Sequence, residues 1–347
     1  MPEIEHLVRF SFIIFFIIVS TLFAQRHPNG EVDSLLISGI ELIINQDYAN
    51  AKEVFYRLDE KFPKIPLGNI YLAATEITKA VDYEEELNEE FVDSLLDLSK
   101  EKNDLIIEED GESIWTDYYE ALIYGYKAYY TSISGNIISA LADGFLSLKS
   151  YQKCLEKDNE FYEAYIALGT YGYWKSAQTK SLLWIPFVHD NRDEGIEYLE
   201  KSLSEFSYNK FLAAYSLIWI YIDYEQSKKA IELAQKMLKQ YPDTRFFKWG
   251  LARAYQDINK NKAIEIFYEI LNSIEVIENR NGYNDVVLKH KIAMLYNELG
   301  ENEKSLSLCN QALDFKIKSV KIKRRLKKRI ERLLKLKEEL TDKLKVK

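Results

Sequence analysis

The chain has 347 residues, a net charge of −9 and 47% hydrophobic residues, enough to build one large core or a series of small ones. It holds only 13 Gly and 6 Pro, too few turn-forming residues for a sheet protein with many hairpins. Its 14% aromatic and 29% charged residues exclude a disordered chain and are typical of amphipathic helices with wide, half-buried faces.

The N-terminus contains a charge-free apolar run at residues 10–23 (FSFIIFFIIVSTLF). A helix needs about 20 apolar residues to cross a bilayer, so this shorter run fits the hydrophobic region of a secretory signal peptide. Residues 1–24 are therefore predicted to be a signal peptide, with an uncleaved N-terminal anchor as the alternative. The rest of the chain is then expected to be exported, and to be periplasmic or associated with the cell envelope.

Internal repeats are the strongest signal in the remaining sequence. In residues 48–63 and 226–243, a small residue is followed four positions later by a larger or apolar one, then by an apolar one and a proline. These residues are Ala51, Phe55, Leu58 and Pro63 in the first segment, and Ala230, Ala234, Met237 and Pro242 in the second. A small residue lets two helix axes approach while the large one fills the space opposite. The proline ends the second helix, so the chain can reverse.

Each of these segments follows another apolar stripe that contains a small residue, and Gly39 and Gly169 are examples. The pattern recurs at Ala263, 33 residues after Ala230, and a weaker copy of it contains Ser305. This arrangement resembles the tetratricopeptide repeat (TPR) family, whose 34-residue unit is two antiparallel helices. The resemblance covers residues 34–63, 160–207 and 209–314, and is weaker over 66–157, where an acidic connector (82–90) intervenes. It implies that peptides or proteins bind to a concave face lined mostly by the first helix of each pair.

The predicted fold class is all-α, a TPR-like α-solenoid of about seven antiparallel helix pairs over residues 25–315. The pairs are expected at about residues 34–62, 67–108, 114–157, 160–206, 209–241, 244–275 and 283–314. A long C-terminal capping helix is expected to follow. The insertions between these segments are short, so no flexible linker divides the chain into separate domains.

Residues 316–347 hold 15 Lys or Arg against four acidic residues, whereas residues 25–315 carry a net charge of about −19. Apolar residues in this C-terminal segment fall three or four apart, which predicts one continuous helical stripe. They are Ile322, Leu326, Ile330, Leu333, Leu336, Leu340 and Leu344. The stripe predicts a helix that caps the last repeat. The basic face also fits an anionic surface, such as lipid headgroups, a cell-wall polymer or an acidic protein, and the leader argues against nucleic acid.

Two sets of residues are candidates for partner contact. If the pairs stack as in the TPR family, the resemblance places one set in the groove: Glu163, Tyr173, Trp174, Trp219, Trp249, Arg253, Gln256, His290 and Asn297. Aromatic residues at helical spacing also pack between helices, which is the alternative for Trp174 and Trp219. The second set lies in the insertion at residues 176–193, which is long for a helix hairpin. Its members are Trp184, Pro186, Phe187, His189 and Arg192, which form either a plug or a contact loop.

The sequence contains no signature of chemistry. Cys154 and Cys309 lie on apolar helical stripes and are predicted to be core residues. The four histidines are scattered, and phosphate-binding, hydrolase and metal-binding motifs are absent. We therefore predict no metal, no cofactor and no enzymatic activity. A helical-solenoid hydrolase is the least favoured alternative, because it would need two carboxylates roughly 5–10 Å apart in a cleft.

The leading interpretation is an interaction scaffold or adaptor in the bacterial cell envelope, which binds a peptide or protein partner on the concave face. The alternative is a protein that binds an anionic lipid or cell-wall polymer through its basic C-terminal helix.

Overall fold

The computed structural model describes residues 26–179 and 189–345. Over these residues the chain forms 15 α-helices and no strand. In chain order they are α1 (Gly30–Ile44), α2 (Tyr48–Lys61), α3 (Leu67–Tyr83), α4 (Glu89–Asp110), α5 (Ile114–Ser134), α6 (Ile137–Lys157), α7 (Tyr162–Gln178), α8 (Arg192–Ser204), α9 (Lys210–Asp223), α10 (Ser227–Gln240), α11 (Arg245–Tyr255), α12 (Lys260–Glu275), α13 (Tyr283–Glu298), α14 (Asn302–Leu313) and α15 (Val320–Lys345). The predicted leader, residues 1–24, lies outside the described residues.

Helices α1 to α14 follow one another as the seven predicted pairs, and α15 is the closing helix. The all-α, TPR-like fold class is therefore confirmed. The longest helices of the pairs are α4, α5 and α6, with 22, 21 and 21 residues, in the region where the repeat pattern is weakest. None of the described helices is both long and apolar enough to span a bilayer.

The chain divides into two compact units. The first unit contains the described residues up to Ile77 and Asn88–Ala213, and the second contains Thr78–Leu87 and the residues from Ala214 onward. Residues at the end of α3 therefore belong to the second unit, together with most of α9 and the later helices. We describe each unit separately.

In the first unit, close helix packing occurs where the sequence places small residues. Ala51 is fully buried, and a Cβ built on Gly39 of α1 would collide with the ring of Phe55 on α2. Gly169 and Gly195 bring α7 and α8 together so closely that a Cβ on Gly169 would lie 2.7 Å from the Gly195 carbonyl oxygen. Contacts continue from α4 through α8 in succession, so neighbouring pairs bury one another's apolar faces.

The second unit follows the same packing rule. Ala230, Ala234, Ala263 and Ser305 are fully buried at the small positions of the repeat. A Cβ on Gly250 of α11 would lie 2.5 Å from a methyl carbon of Ile218 on α9, which shows how closely these two helices approach. Helices α10 to α14 each contact the next one along the chain.

The closing helix α15 buries its apolar stripe against α13 and α14. The buried members of the stripe are Ile322, Leu326, Leu333, Leu336 and Leu340. The predicted capping role is therefore confirmed by the packing, and the Lys and Arg side chains occupy the opposite face.

The two cysteines are buried, free thiols in the structure. Burial raises the pKa of both thiols, and that of Cys309 reaches about 11. A raised pKa keeps a thiol protonated and unreactive at neutral pH. Both residues are therefore core residues, as the sequence predicts.

Candidate functional site

An open pocket of about 270 Å³ lies in the second unit among the first helices of three successive pairs. Its aromatic walls are Tyr215 and Trp219 from α9, Phe246 and Trp249 from α11, and Tyr283 from α13. Positions three or four apart on a helix share one face, so each pair of aromatic residues points the same way. The remaining lining residues are Val81, Asp82, Glu84, Asn284 and Val287.

The aromatic walls are fixed by edge-to-face contacts. Tyr215 meets Trp219 with ring centroids 6.3 Å apart and Phe246 at 6.4 Å. Trp249 packs against Phe267 of α12 at 5.7 Å. Such contacts add about 0.5–1.5 kcal/mol each beyond the area they bury. These contacts therefore hold the aromatic rings in fixed positions around the pocket.

The segment at the end of α3 completes the pocket through buried polar contacts. The Asp82 carboxylate accepts from Arg245 Nε at 2.8 Å and from Nη2 of the same guanidinium, and the side chains are only 3% and 8% exposed. Asn284 Nδ2 donates to the Asp82 carbonyl oxygen at 3.0 Å. The sequence suggests a solvated acidic connector here, but the structure buries Asp82 because Arg245 compensates its charge.

The second carboxylate of the pocket is also paired. Glu84 accepts from Arg325 of α15, and the Arg325 guanidinium lies 4.3 Å from the centroid of the Tyr283 ring. Asn281 Nδ2 donates to the Glu84 carbonyl oxygen at 2.7 Å. Both carboxylates of the pocket are thus neutralised by arginines, so the pocket itself carries little net charge.

The indole nitrogen of Trp219 is buried, on the side of the ring away from solvent. Trp219 is nevertheless half-exposed as a residue. The accessible part of Trp219 is therefore carbon, so this residue contributes apolar surface to the pocket.

Two of the predicted groove residues, Trp219 and Trp249, lie together in this pocket. The other predicted groove residues of the second unit do not line it. Arg253 is occupied by an ion pair with Asp257 at 2.9 Å, and Gln256 is a half-buried residue just after α11.

His290 of α13 is covered by the closing helix, and Asn297 is half-buried beside it. The Nδ1 atom of His290 accepts from Arg329 Nη1 at 2.9 Å, and Asn297 Oδ1 lies 3.4 Å from Lys343 Nζ. His290 is 2% exposed. The apolar stripe of α15 is buried partly against this face of α13. His290 therefore lies beneath α15 and does not face a groove.

The acid stability of the α13–α15 contact is expected to depend on His290. Burial, together with Arg329, Arg332 and Lys291, lowers its pKa to about 4. On acidification, this histidine is therefore protonated at a higher pH in the unfolded chain than in the folded one. The free energy of unfolding is highest at neutral pH and falls as the pH drops from about 6.5 towards 4. We expect a loss on the order of 2 kcal/mol in the free energy of unfolding, measured by urea denaturation across that range.

A His290→Gln variant keeps an acceptor for Arg329 without a titrating ring, so this part of the pH dependence should disappear. Asn297→Gln is the matched control, because it changes a side chain of the same helix that has no titratable group, and it should leave the pH profile unchanged. An identical acid profile for His290→Gln and the parent chain would contradict the assignment.

The predicted groove residues of the first unit are largely interior. Glu163 is buried, its Oε1 accepts from the Tyr118 hydroxyl at 3.2 Å and from Asn209 Nδ2, and its Oε2 accepts from the Asn209 backbone N–H at 3.2 Å. Burial raises the pKa of Glu163, and these hydrogen bonds oppose the rise. Tyr173 is fully buried, and Trp174 is half-buried with its ring 5.2 Å from that of Tyr173. Glu163 and Tyr173 therefore hold helices together instead of facing a partner.

Of the predicted contact loop, Trp184, Pro186 and Phe187 lie outside the described residues. His189 is exposed. The Arg192 guanidinium forms a two-pronged ion pair with Asp190, at 2.8 Å and 2.6 Å, at the start of α8. This arrangement orders the end of the insertion.

Most residues of the pocket were not predicted from the sequence. The spacing of Tyr215 with Trp219, and of Phe246 with Trp249, was available as a signal, because each pair shares a helix face. No local pattern connects the residues at 81–84 with helices more than a hundred residues later.

No family model matches the chain, and no curated protein matches it. Among solved structures, the C-terminal part of a TPR repeat-containing protein from Cytophaga hutchinsonii is similar at 18% identity, over 83% of this chain and 97% of that chain, with a TM-score of 0.39. A tetratricopeptide repeat protein from Parabacteroides merdae matches at 15% identity, over 89% and 99% of the two chains, with a TM-score of 0.38. Yeast Tom70 matches at 13% identity, over 93% and 66%, with a TM-score of 0.41.

Within the described residues, no group of three or more His, Cys, Asp or Glu side chains could hold a metal ion.

Proposed function

We propose that the chain is an interaction scaffold of the bacterial cell envelope that holds a peptide segment of a partner protein in the aromatic pocket. The observation that supports this proposal is the convergence of five aromatic side chains from α9, α11 and α13 around one open cavity. Large aromatic surfaces with few rotatable bonds are the typical anchors of protein recognition. The envelope location is proposed from the apolar run at residues 10–23 alone, and cell fractionation of the tagged full chain tests it.

The chemistry of the pocket defines the ligand class. Asp82 and Glu84 are already paired with Arg245 and Arg325, so a charged ligand gains little from them. The pocket of about 270 Å³ lies at the lower end of the range for small-molecule sites, about 300–1,000 Å³, and has room for a single side chain of a peptide. Aromatic-lined grooves bind prolyl rings or stack with aromatic ones. The ligand is therefore a peptide with proline or an aromatic residue at its anchor position.

Selection from a displayed random-peptide library against the full chain tests the proposal. The recovered peptides should share a proline or aromatic residue. Trp249→Ala should weaken their binding at least about 30-fold, because a central anchor is worth about 2 kcal/mol or more. Fluorescence anisotropy with labelled peptide gives the dissociation constants.

Tyr171→Ala is the matched control, because Tyr171 is an aromatic residue of α7 that is 47% exposed and does not line the pocket. It should bind the peptides as the parent chain does. The proposal fails if the selected peptides share no ring-bearing anchor, or if they bind the parent and Trp249→Ala equally well. The helical content and melting temperature of both variants should be recorded alongside, to show that they are folded.

A further inference from the structure

The first half of α15 presents a row of exposed cations. Lys321, Lys323, Arg324, Lys327, Lys328 and Arg332 are exposed, and none lies within ion-pair distance of a carboxylate in the described parts of the chain. We call these six residues the basic patch. Two other arginines of this region, Arg325 and Arg329, are occupied by Glu84 and His290.

The packing of α15 fixes the direction in which the patch faces. The stripe that includes Ile322 and Leu326 is buried against the preceding helices, so the charged side chains project on the opposite side. Only one acid, Glu331, lies between residues 316 and 337. Six like charges within 12 residues create a strongly positive local field that attracts an anionic partner.

The exposed residues near the patch indicate the kind of anionic partner. Val320 and Leu334 flank it and are 81% and 53% exposed, and aliphatic side chains beside lysines favour the headgroup boundary of a bilayer. Helix α15 contains no aromatic residue, whereas sites for single-stranded nucleic acid usually stack bases on aromatic rings.

We infer that the basic patch binds the surface of an anionic lipid bilayer. The contact is electrostatic and superficial, because the apolar stripe that would insert into the membrane is already buried in the fold. None of the six residues lines the aromatic pocket. The test of lipid binding is therefore independent of the test of peptide binding.

Co-sedimentation of the full chain with vesicles of phosphatidylglycerol or of phosphatidylcholine tests the inference. The chain should bind phosphatidylglycerol vesicles, dissociate from them as the salt concentration is raised, and show no binding to phosphatidylcholine vesicles. Each cation near an anionic surface strengthens binding about fivefold, so the triple variant Arg324→Gln, Lys327→Gln and Lys328→Gln should lower the partition coefficient about a hundredfold.

The matched control neutralises three exposed lysines of α10 instead, as Lys228→Gln, Lys236→Gln and Lys239→Gln, and should bind as the parent does. Circular dichroism should show both variants folded. Three results would overturn the inference: equal binding to the two kinds of vesicle, binding that survives high salt, or a triple variant that binds like its control. Polyuridylate should also be added to the vesicle-bound chain. If it displaces the chain when its phosphate concentration is lower than the lipid concentration, the patch is a nucleic-acid site instead.

Discussion

Arg245→Met is expected to lower the free energy of unfolding by about 3–5 kcal/mol, because it leaves the Asp82 carboxylate buried without its cation. The two side chains are 8% and 3% exposed, and their contact involves two hydrogen bonds. Methionine fills a similar volume, so the loss reports charge compensation rather than a cavity. Chemical denaturation of the full chain measures it.

The double variant Asp82→Leu with Arg245→Met removes both charges and should recover most of the loss, since no uncompensated ion remains. Arg253→Met is the matched control, because its ion pair with Asp257 is exposed, and such pairs contribute about 0–1 kcal/mol. If Arg245→Met lowers the free energy of unfolding no more than Arg253→Met does, the buried ion pair does not hold the residues around Asp82 against α11.

A second large effect is expected at the contact between Gly39 and Phe55. Phe55 is fully buried and stacks on Tyr71 at 5.3 Å, so Phe55→Ala should cost about 3–5 kcal/mol of unfolding free energy. Gly39→Ala should also destabilise, by about 1–3 kcal/mol, because its new methyl group collides with the Phe55 ring.

The combination of the two changes separates this explanation from a general loss of packing. Without the Phe55 ring, the methyl group of Gly39→Ala has no atom to collide with. Alanine also favours the helix over glycine by about 1 kcal/mol. Gly39→Ala should therefore be neutral or stabilising in the Phe55→Ala background, which a double-mutant cycle measures. Additive losses would show that the small residue and the ring are not complementary.

The helix pairs could be predicted from the sequence because their signal is local. The small residue, the large residue and the proline that follows lie within one helix and its end, as Ala51, Phe55 and Pro63 show. Ala230 and Ala263 are fully buried where the repeat requires small residues. Since each pair needs only its neighbours to bury its apolar face, the local pattern was sufficient for the fold class.

The site depends on contacts that are distant in sequence, and its prediction was correspondingly incomplete. Trp219 and Trp249 were found because TPR-like stacking brings first helices side by side. From the sequence, Asp82 was predicted to belong to a solvated acidic connector. Only the structure shows that its ion pair with Arg245 allows it to be buried. The stripe of α15 predicted a buried face, but nothing in the sequence indicated that His290 would lie beneath it.

The measurement that tests the account most directly is an experimental structure of the full chain bound to a selected peptide. We expect the anchor ring of the peptide between Trp219 and Trp249, with Tyr215, Phe246 and Tyr283 around it and the Asp82–Arg245 pair unchanged. A peptide bound elsewhere on the chain, with the aromatic pocket empty, would contradict the account.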